Sequence, residues 1–204
     1  MPNAMSDVSS RAVNAPVSEL KKNVEKIDYA TGQSVLGTVL VARSRDGVCA
    51  ILIGSGSKEL KDDLAIQFNK SKLTQDDQKL RNDLQKVIRF IAARTRSLEL
   101  TLDMRGTHFQ KRVWTALCGV PSGSTITYAA LAARIGEPKA VRAVANACAA
   151  NAIALAIPCH RVIRKDGTFS GYRWGEERKR MLIAREGLYK SSRRRNVCLR
   201  CIRD

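Results

Sequence analysis

The hexapeptide Ile157-Pro158-Cys159-His160-Arg161-Val162 sets a cysteine directly before one of only two histidines in the chain. A thiolate is the form of cysteine that attacks carbon, and a neighbouring imidazole is the simplest group to take the thiol proton. The apolar run Ile153 to Ile157 leads into the pair, and Pro158 fixes φ immediately before the sulfur. Adjacent residues on a strand point to opposite faces, so a turn or a bridging water must bring sulfur and imidazole together. Taken alone, a Cys-His dipeptide reads better as a buried structural cysteine beside a surface histidine. The residues around this one reverse that preference. Metal chemistry is not expected. His108 stands by itself, and Cys198-x-x-Cys201, the only close cysteine pair, lacks the second pair a zinc site needs.

The elements that must hold this pair read as helices after Gly106. Phe109, Val113, Trp114 and Leu117 recur on one helix face, which is a core-packing pattern. Pro121-Ser122-Gly123 is a turn, and Thr127 suits the N-cap of a short helix from Tyr128 to Arg134. Gly136-Glu137-Pro138 stops that helix and restarts another at Lys139, with Pro138 at its first position. Helix, glycine-containing turn, helix is a helix-turn-helix pattern, although many helix pairs share it. Ala140, Ala143, Ala145, Ala147, Ala149 and Ala150 leave the second helix nearly bare, with Arg142 its one long cation. Such a helix is either tightly buried, with the arginine capping a carboxylate, or thin enough to enter a nucleic-acid groove. A further helix runs from Glu176 to Arg185, with Glu186 at its end and Gly187 as the C′ residue. A carboxylate is unfavourable at a helix C-terminus, which points to a compensating partner.

The N-terminal half reads as a small α/β domain. Ser34 to Ala42 and Val48 to Ile53 are β-rich runs that form a hairpin across Arg43 to Gly47. Leu60, Leu64 and Phe68 have helical spacing, a longer helix spans Asp76 to Ala93, and Leu98, Leu100 and Leu102 alternate as in a half-buried strand. Residues 1–28 lack any sustained period and are read as a flexible lead-in, with Met5 a second possible start. Residues 29–104 are the α/β domain, 105–189 the helical domain with the active site, and 190–204 a basic disordered tail.

Thirty-six basic against 19 acidic residues give the 204-residue chain a net charge of +17. Residues 1–104 carry 16 basic and 13 acidic side chains, whereas 105–204 carry 20 and 6. The half that holds the Cys-His pair is therefore the half drawn to a polyanion. The chain is 44% hydrophobic yet has no apolar run of about 18 residues, so no membrane span is expected. No charged-then-apolar leader is visible at the N-terminus. Six cysteines without regular spacing fit a reduced compartment better than a disulfide framework.

From Gly106-Thr107-His108-Phe109 to Gly187 the chain resembles the O6-alkylguanine-DNA alkyltransferases, within them the bacterial Ada-type branch. The likeness rests on Phe109-Gln110, Val113-Trp114, Thr127-Tyr128, Lys139 to Val144, Ala149 to Asn151, Ile157 to Val162, Ser170 to Gly175 and Glu186-Gly187. These segments keep the family's order and nearly its spacing. Before position 105 the likeness is looser and rests on Gly47 to Gly54. The resemblance implies a ribonuclease-H-like sheet followed by a mainly α domain with a helix-turn-helix. It implies single-turnover repair of duplex DNA by removal of alkyl groups from guanine O6, and from thymine O4, after the base is flipped out. Cys159 would accept the alkyl group, His160 would serve as its base and Glu186 would orient the histidine. Asn151 would brace the active-site turn, and Tyr128 would rotate the nucleotide and donate a proton toward the base. Arg142 would replace the extruded base, with Lys139, Ala140, Val141 and Ala143 beside it on the DNA. Ile157, Pro158, Tyr172 and Arg173 would line the base pocket. No cofactor is implied. The expected protein is a monomer of the bacterial cytoplasm, associated with the nucleoid. The zinc domain and regulatory module of the full Ada protein have no counterpart in these 204 residues, so a methylation-responsive transcription factor is not expected unless the chain is a fragment.

Two other classes meet the same residues. A helix-turn-helix module could flag alkylated DNA without chemistry, but such proteins replace the cysteine that stands here at 159. A thiol hydrolase would need an oxyanion hole and turnover, which no feature of the sequence foretells.

Overall fold

Strands β2 (Gly37–Arg43) and β3 (Val48–Gly54) are almost continuously apolar, as strands covered on both faces must be. In a computed structural model that describes residues 24–92, 98–169 and 171–188, they form the protected side of a four-stranded sheet. Its order is β3-β2-β1-β4, with β1 at Lys26–Ser34 and β4 at Lys72–Gln75. The β1–β2 and β2–β3 pairs are antiparallel and the β1–β4 pair is parallel. Helix α1 (Ser57–Gln67) packs on β2 and β3, and α2 (Arg81–Ile91) packs on β1 and β2. The molecule is thus an N-terminal sheet domain followed by a C-terminal helical one.

Several elements depart from the expectation of the sequence. β1 begins inside the stretch taken as lead-in 1–28. Its composition hides it, because the buried Asp28 sits between Ile27 and Ala30 and is held by Lys26 and Lys79. Ser34 to Ala42 is not one strand: Ser34 Oγ donates to the Gly37 carbonyl, and Gly37, at φ +102°, turns the chain from β1 into β2. The polar β4 gives no apolar signal. The helix expected from Asp76 starts only at Arg81, because Asp76 extends the sheet, its N–H donating to the Tyr29 carbonyl. Leu98 and Leu100 are buried and Glu99 is exposed, but the segment makes only a single bridge, Leu102 with Val48. Most of the lead-in, Ser170 and the tail 190–204 with Cys198 and Cys201 lie outside the described residues.

In the second domain, α3 (His108–Cys118) opens on a reciprocal cap. Thr107 Oγ1 accepts from the Gln110 N–H, and the Gln110 side chain accepts from the Thr107 N–H. β5 (Ile126–Thr127) leads into α4 (Tyr128–Arg134), whose N-cap is Thr127, and α5 spans Val141–Ala149. α5 starts two residues later than expected. A turn closed by the Ala140 N–H on the Glu137 carbonyl takes up Pro138 and Lys139, so Pro138 is not a helical first residue. A 3-10 turn at Cys159–Arg161 runs into β6 (Val162–Ile163), which pairs in parallel with β5. α6 spans Glu176–Leu188, so Glu186 and Gly187 lie within the helix rather than at its end.

The free edge of β3 pairs first with the end of the N-terminal half and then, at Ile51, with the helical domain. The Val48 N–H donates to Thr101 O and the Asp103 N–H to Val48 O. Further along, the Ile51 N–H donates to Ala152 O at 2.9 Å and the Ala154 N–H to Ile51 O at 3.0 Å. The chain just before Cys159 is therefore pinned to the N-terminal sheet, and a sheet edge that would otherwise stand open is used. Among the described residues no helix is long and apolar enough to cross a membrane.

Candidate active site

The active turn is built from backbone that has few alternatives. Leu155 is buried with φ +70°, the one non-glycine residue in the left-handed region among those described. Pro158 then caps the 3-10 turn, and its carbonyl accepts from the Arg161 N–H. Asn151 ties both ends together. Its Oδ1 accepts from the Ile153 N–H at 2.8 Å, and its Nδ2 donates to Ile157 O at 3.0 Å and to Cys159 Sγ at 3.2 Å. Asn151 is not left-handed, so its part is played by the side chain. Cys159 is 5% exposed. Burial pushes its thiol up to about 11, against the pull of the Asn151 amide, the Lys179 charge and, more weakly, Arg173. An unassisted thiolate, which an activated cysteine would suggest, is therefore not the resting form.

His160 is fully buried, and its Nε2 lies 2.9 Å from Glu186 Oε1. Glu186 also accepts from Arg161 Nε at 3.0 Å, from Arg161 Nη2 at 2.8 Å and from the Gly123 N–H at 2.9 Å. Burial opposes ionisation of Glu186, but these partners outweigh it and hold the carboxyl at about 2. An ionised carboxylate only accepts, so Nε2 carries the imidazole proton and Nδ1 has a free lone pair. Nδ1 is buried with no hydrogen-bond partner in the protein. Burial also lowers the His160 pKa from its ordinary value, which keeps the ring neutral. No direct bond joins the imidazole to Cys159; the 3-10 turn brings the two residues side by side.

Tyr172 and Trp174 pack beside this pair. The rings of His160 and Tyr172 meet edge-on at 6.5 Å, those of Tyr172 and Trp174 at 5.2 Å. The Tyr172 hydroxyl and Trp174 Nε1 are buried and unpartnered. Tyr128, at the start of α4, is half-buried with its hydroxyl toward Gly171, and burial raises its pKa. Ile157 and Pro158 are buried within the turn. The Arg173 guanidinium grips Asp63 of α1 at 2.7 and 2.9 Å and lies over the Trp174 ring. Lys139, Val141, Arg142 and Ala143 form an exposed patch at the start of α5, with Ala140 half-buried, apart from the thiol cluster. Among the described residues Arg142 has no hydrogen bond or ion pair, so it caps no carboxylate there. Nor do three His, Cys, Asp or Glu side chains gather among them to hold a metal ion.

Two residues of the site escaped the sequence reading. Arg161, 1% exposed, clamps Glu186 and also donates to Val120 O at 2.5 Å. Lys179 is 1% exposed, and its positive charge acts on both Cys159 and Cys148. The signal for Lys179 was present: Lys179, Leu182 and Glu186 stand at i, i+3 and i+7 on α6, one face of a helix.

Residues 108–188 match the family model described as the DNA-binding domain of 6-O-methylguanine DNA methyltransferase. The chain is 48% identical over 160 residues to the Escherichia coli bifunctional transcriptional activator/DNA repair enzyme Ada, covering 78% of this chain and 45% of that protein. It therefore spans less than half the length of that relative. It is 38% identical to the inducible methylated-DNA–protein-cysteine methyltransferase of Bacillus subtilis, covering 65% of this chain and 76% of that one. Among solved structures, Mycobacterium tuberculosis OGT in complex with DNA is similar, with a TM-score of 0.68 and 32% identity, over 79% of this chain and 93% of that one.

Proposed function

The chain belongs to the methylated-DNA–protein-cysteine methyltransferases, and from that premise we propose that it repairs duplex DNA by moving an alkyl group from guanine O6 to Cys159. Thymine O4 is the second substrate atom. The step is an in-line displacement: the sulfur–carbon bond forms as the carbon–oxygen bond breaks, and the electron pair leaves with the purine. His160 Nδ1 takes the thiol proton through one water molecule, and Glu186 holds the ring in the tautomer that leaves Nδ1 free. Tyr128 donates toward the departing base. The thioether is a poor leaving group, so each molecule acts once.

In this reading α4 and α5 are a helix-turn-helix, with Arg142 filling the space of the flipped nucleotide and Lys139 to Ala143 against the groove. The N-terminal sheet is ribonuclease-H-like and serves as a scaffold for the domain at 105–189. The site of action is the bacterial cytoplasm, at the nucleoid.

The observation that carries the proposal is a buried imidazole anchored by an ionised carboxylate, one residue from a buried thiol. The test is to incubate the protein with a duplex containing one O6-methylguanine and weigh the intact protein. One added methyl group per molecule, on Cys159 and lost in Cys159→Ala, supports it. Tight binding without a mass change would instead favour a damage-flagging module. Repeated turnover would favour a hydrolase.

A further inference from the structure

The segment Tyr172-Arg173-Trp174 is bracketed by Gly171 at φ +84° and Gly175 at φ +98°. Glycine moves through this region without steric cost, so local backbone preference does not fix where the segment lies. It is held from outside. Arg178 Nη1 donates to Trp174 O at 2.9 Å while its Nε donates to Leu36 O of the N-terminal domain at 2.7 Å. Arg173 reaches the same domain, bonding both oxygens of Asp63 on α1 with its guanidinium laid over Trp174. Trp174 packs on Tyr172, and Tyr172 packs on His160.

We propose that Asp63 is a positioning residue of the alkyl-transfer site. It acts through Arg173 to seat Trp174 and Tyr172 against His160, and so sets the shape of the base pocket from the other domain. The inference rests on the alkyl-transfer reading above. It gives the N-terminal domain a specific part in the reaction, beyond scaffolding.

A partly exposed ion pair of this kind adds little to stability, so variants should fold. Asp63→Ala, Arg173→Ala, the double variant and the charge swap Asp63→Arg with Arg173→Asp form one set. Trp174 is one of two tryptophans, and the other, Trp114, is buried on the inner face of α3, away from this segment's bonds. Acrylamide quenching of the DNA-free protein therefore reports the segment directly. Each single variant should show stronger quenching. Each should also lose about tenfold in the maximal single-turnover rate on O6-methylguanine duplex, inside the about hundredfold that a misplacement of about 1 Å can cost. The DNA concentration for half-maximal rate should hold. The double variant should be no worse than either single, because the two residues act as one unit, and the swap should recover both readouts. A parent protein that transfers nothing overturns the proposed function and this inference with it. A parent that transfers, beside an Asp63→Ala variant equally fast and equally protected from acrylamide, overturns this inference alone. So does a double variant that loses the product of the two single losses.

Discussion

Glu186→Gln preserves the size of the side chain and removes what the site needs from it. Four N–H groups converge on the two carboxylate oxygens: His160 Nε2, Arg161 Nε, Arg161 Nη2 and the Gly123 amide. A carboxylate accepts all four, whereas an amide accepts on one oxygen and turns two N–H groups toward the remaining donors. Arg161 is 1% exposed, so the change also leaves a buried guanidinium without its counter-charge. Breaking a buried ion pair from one side costs about 3–5 kcal/mol. The Arg161 bond to Val120 O survives and favours the lower figure. At about 2–4 °C per kcal/mol for a chain of this size, a loss of about 3 kcal/mol lowers the melting temperature by about 6–12 °C. The chemical consequence is separate. The Gln amide donates to His160 Nε2, which moves the ring proton to Nδ1 and removes the base from the thiol's side. Positioned general bases contribute about 10²–10⁴-fold, and transfer from O6-methylguanine duplex should fall by that order. Thermal unfolding and single-turnover quench experiments read the two effects independently. A folded Gln variant that melts within about 2 °C of the parent and transfers at a similar rate would refute both the clamp and the tautomer argument.

Arg142→Ala should slow transfer from duplex DNA at least about tenfold but spare a single-stranded oligonucleotide, because only the duplex pays an unstacking cost of a few kcal/mol; equal losses on both would mean a structural role. Lys179→Met removes a cation that favours the Cys159 thiolate, so the thiol, already near 11, should titrate higher in a pH profile of iodoacetamide reactivity. The same variant should melt no lower than the parent, since a buried ammonium carries a desolvation cost, and an unmoved profile would remove Lys179 from the site's chemistry. Stability should fall on acidification in two stages. Folded His160 titrates below its ordinary 6.5, so the unfolded chain takes up the proton first and stability declines as pH drops past about 6.5. Glu186, at about 2 folded against 4.5, contributes fully above pH 4.5 and nothing near pH 2. Urea unfolding that is flat from neutral pH to about 4 would contradict the first stage.

What could be read in the sequence was whatever announces itself locally. Thr127 as a cap, the apolar face of α3 and the turn at Pro121-Ser122-Gly123 depend on neighbours in the chain. The elements that failed are those whose reason lies elsewhere. β1 is a strand because β2 and β4 flank it, and its Asp28 is tolerable only with Lys26 and Lys79 beside it. α5 starts late because Glu137 and Ala140 close a turn that outcompetes the preference of Pro138 for a first helical position. Arg173 could be assigned to the pocket wall from its place in the motif. Its partner Asp63 stands 110 positions away and carries no signal of its own.

The misplacement of Glu186 is the most instructive of these. At a helix end its charge looked awkward and called for a partner; inside the last turn of α6 it is instead the centre of a buried charge balance. Glu186 offsets Arg161, His160 is held neutral, and Cys159 rests as a thiol. With Lys179 protonated, the buried groups then carry one uncompensated positive charge. Ionisation of Cys159 cancels it. Burial alone argues against a thiolate here, yet the thiolate is the state in which the site as a whole is neutral. The cost of removing the thiol proton is therefore repaid in part by a lysine that touches neither the imidazole nor its carboxylate. The unpartnered Nδ1 of His160 is open to receive that proton first, and the site becomes neutral only when the ring hands it on to solvent.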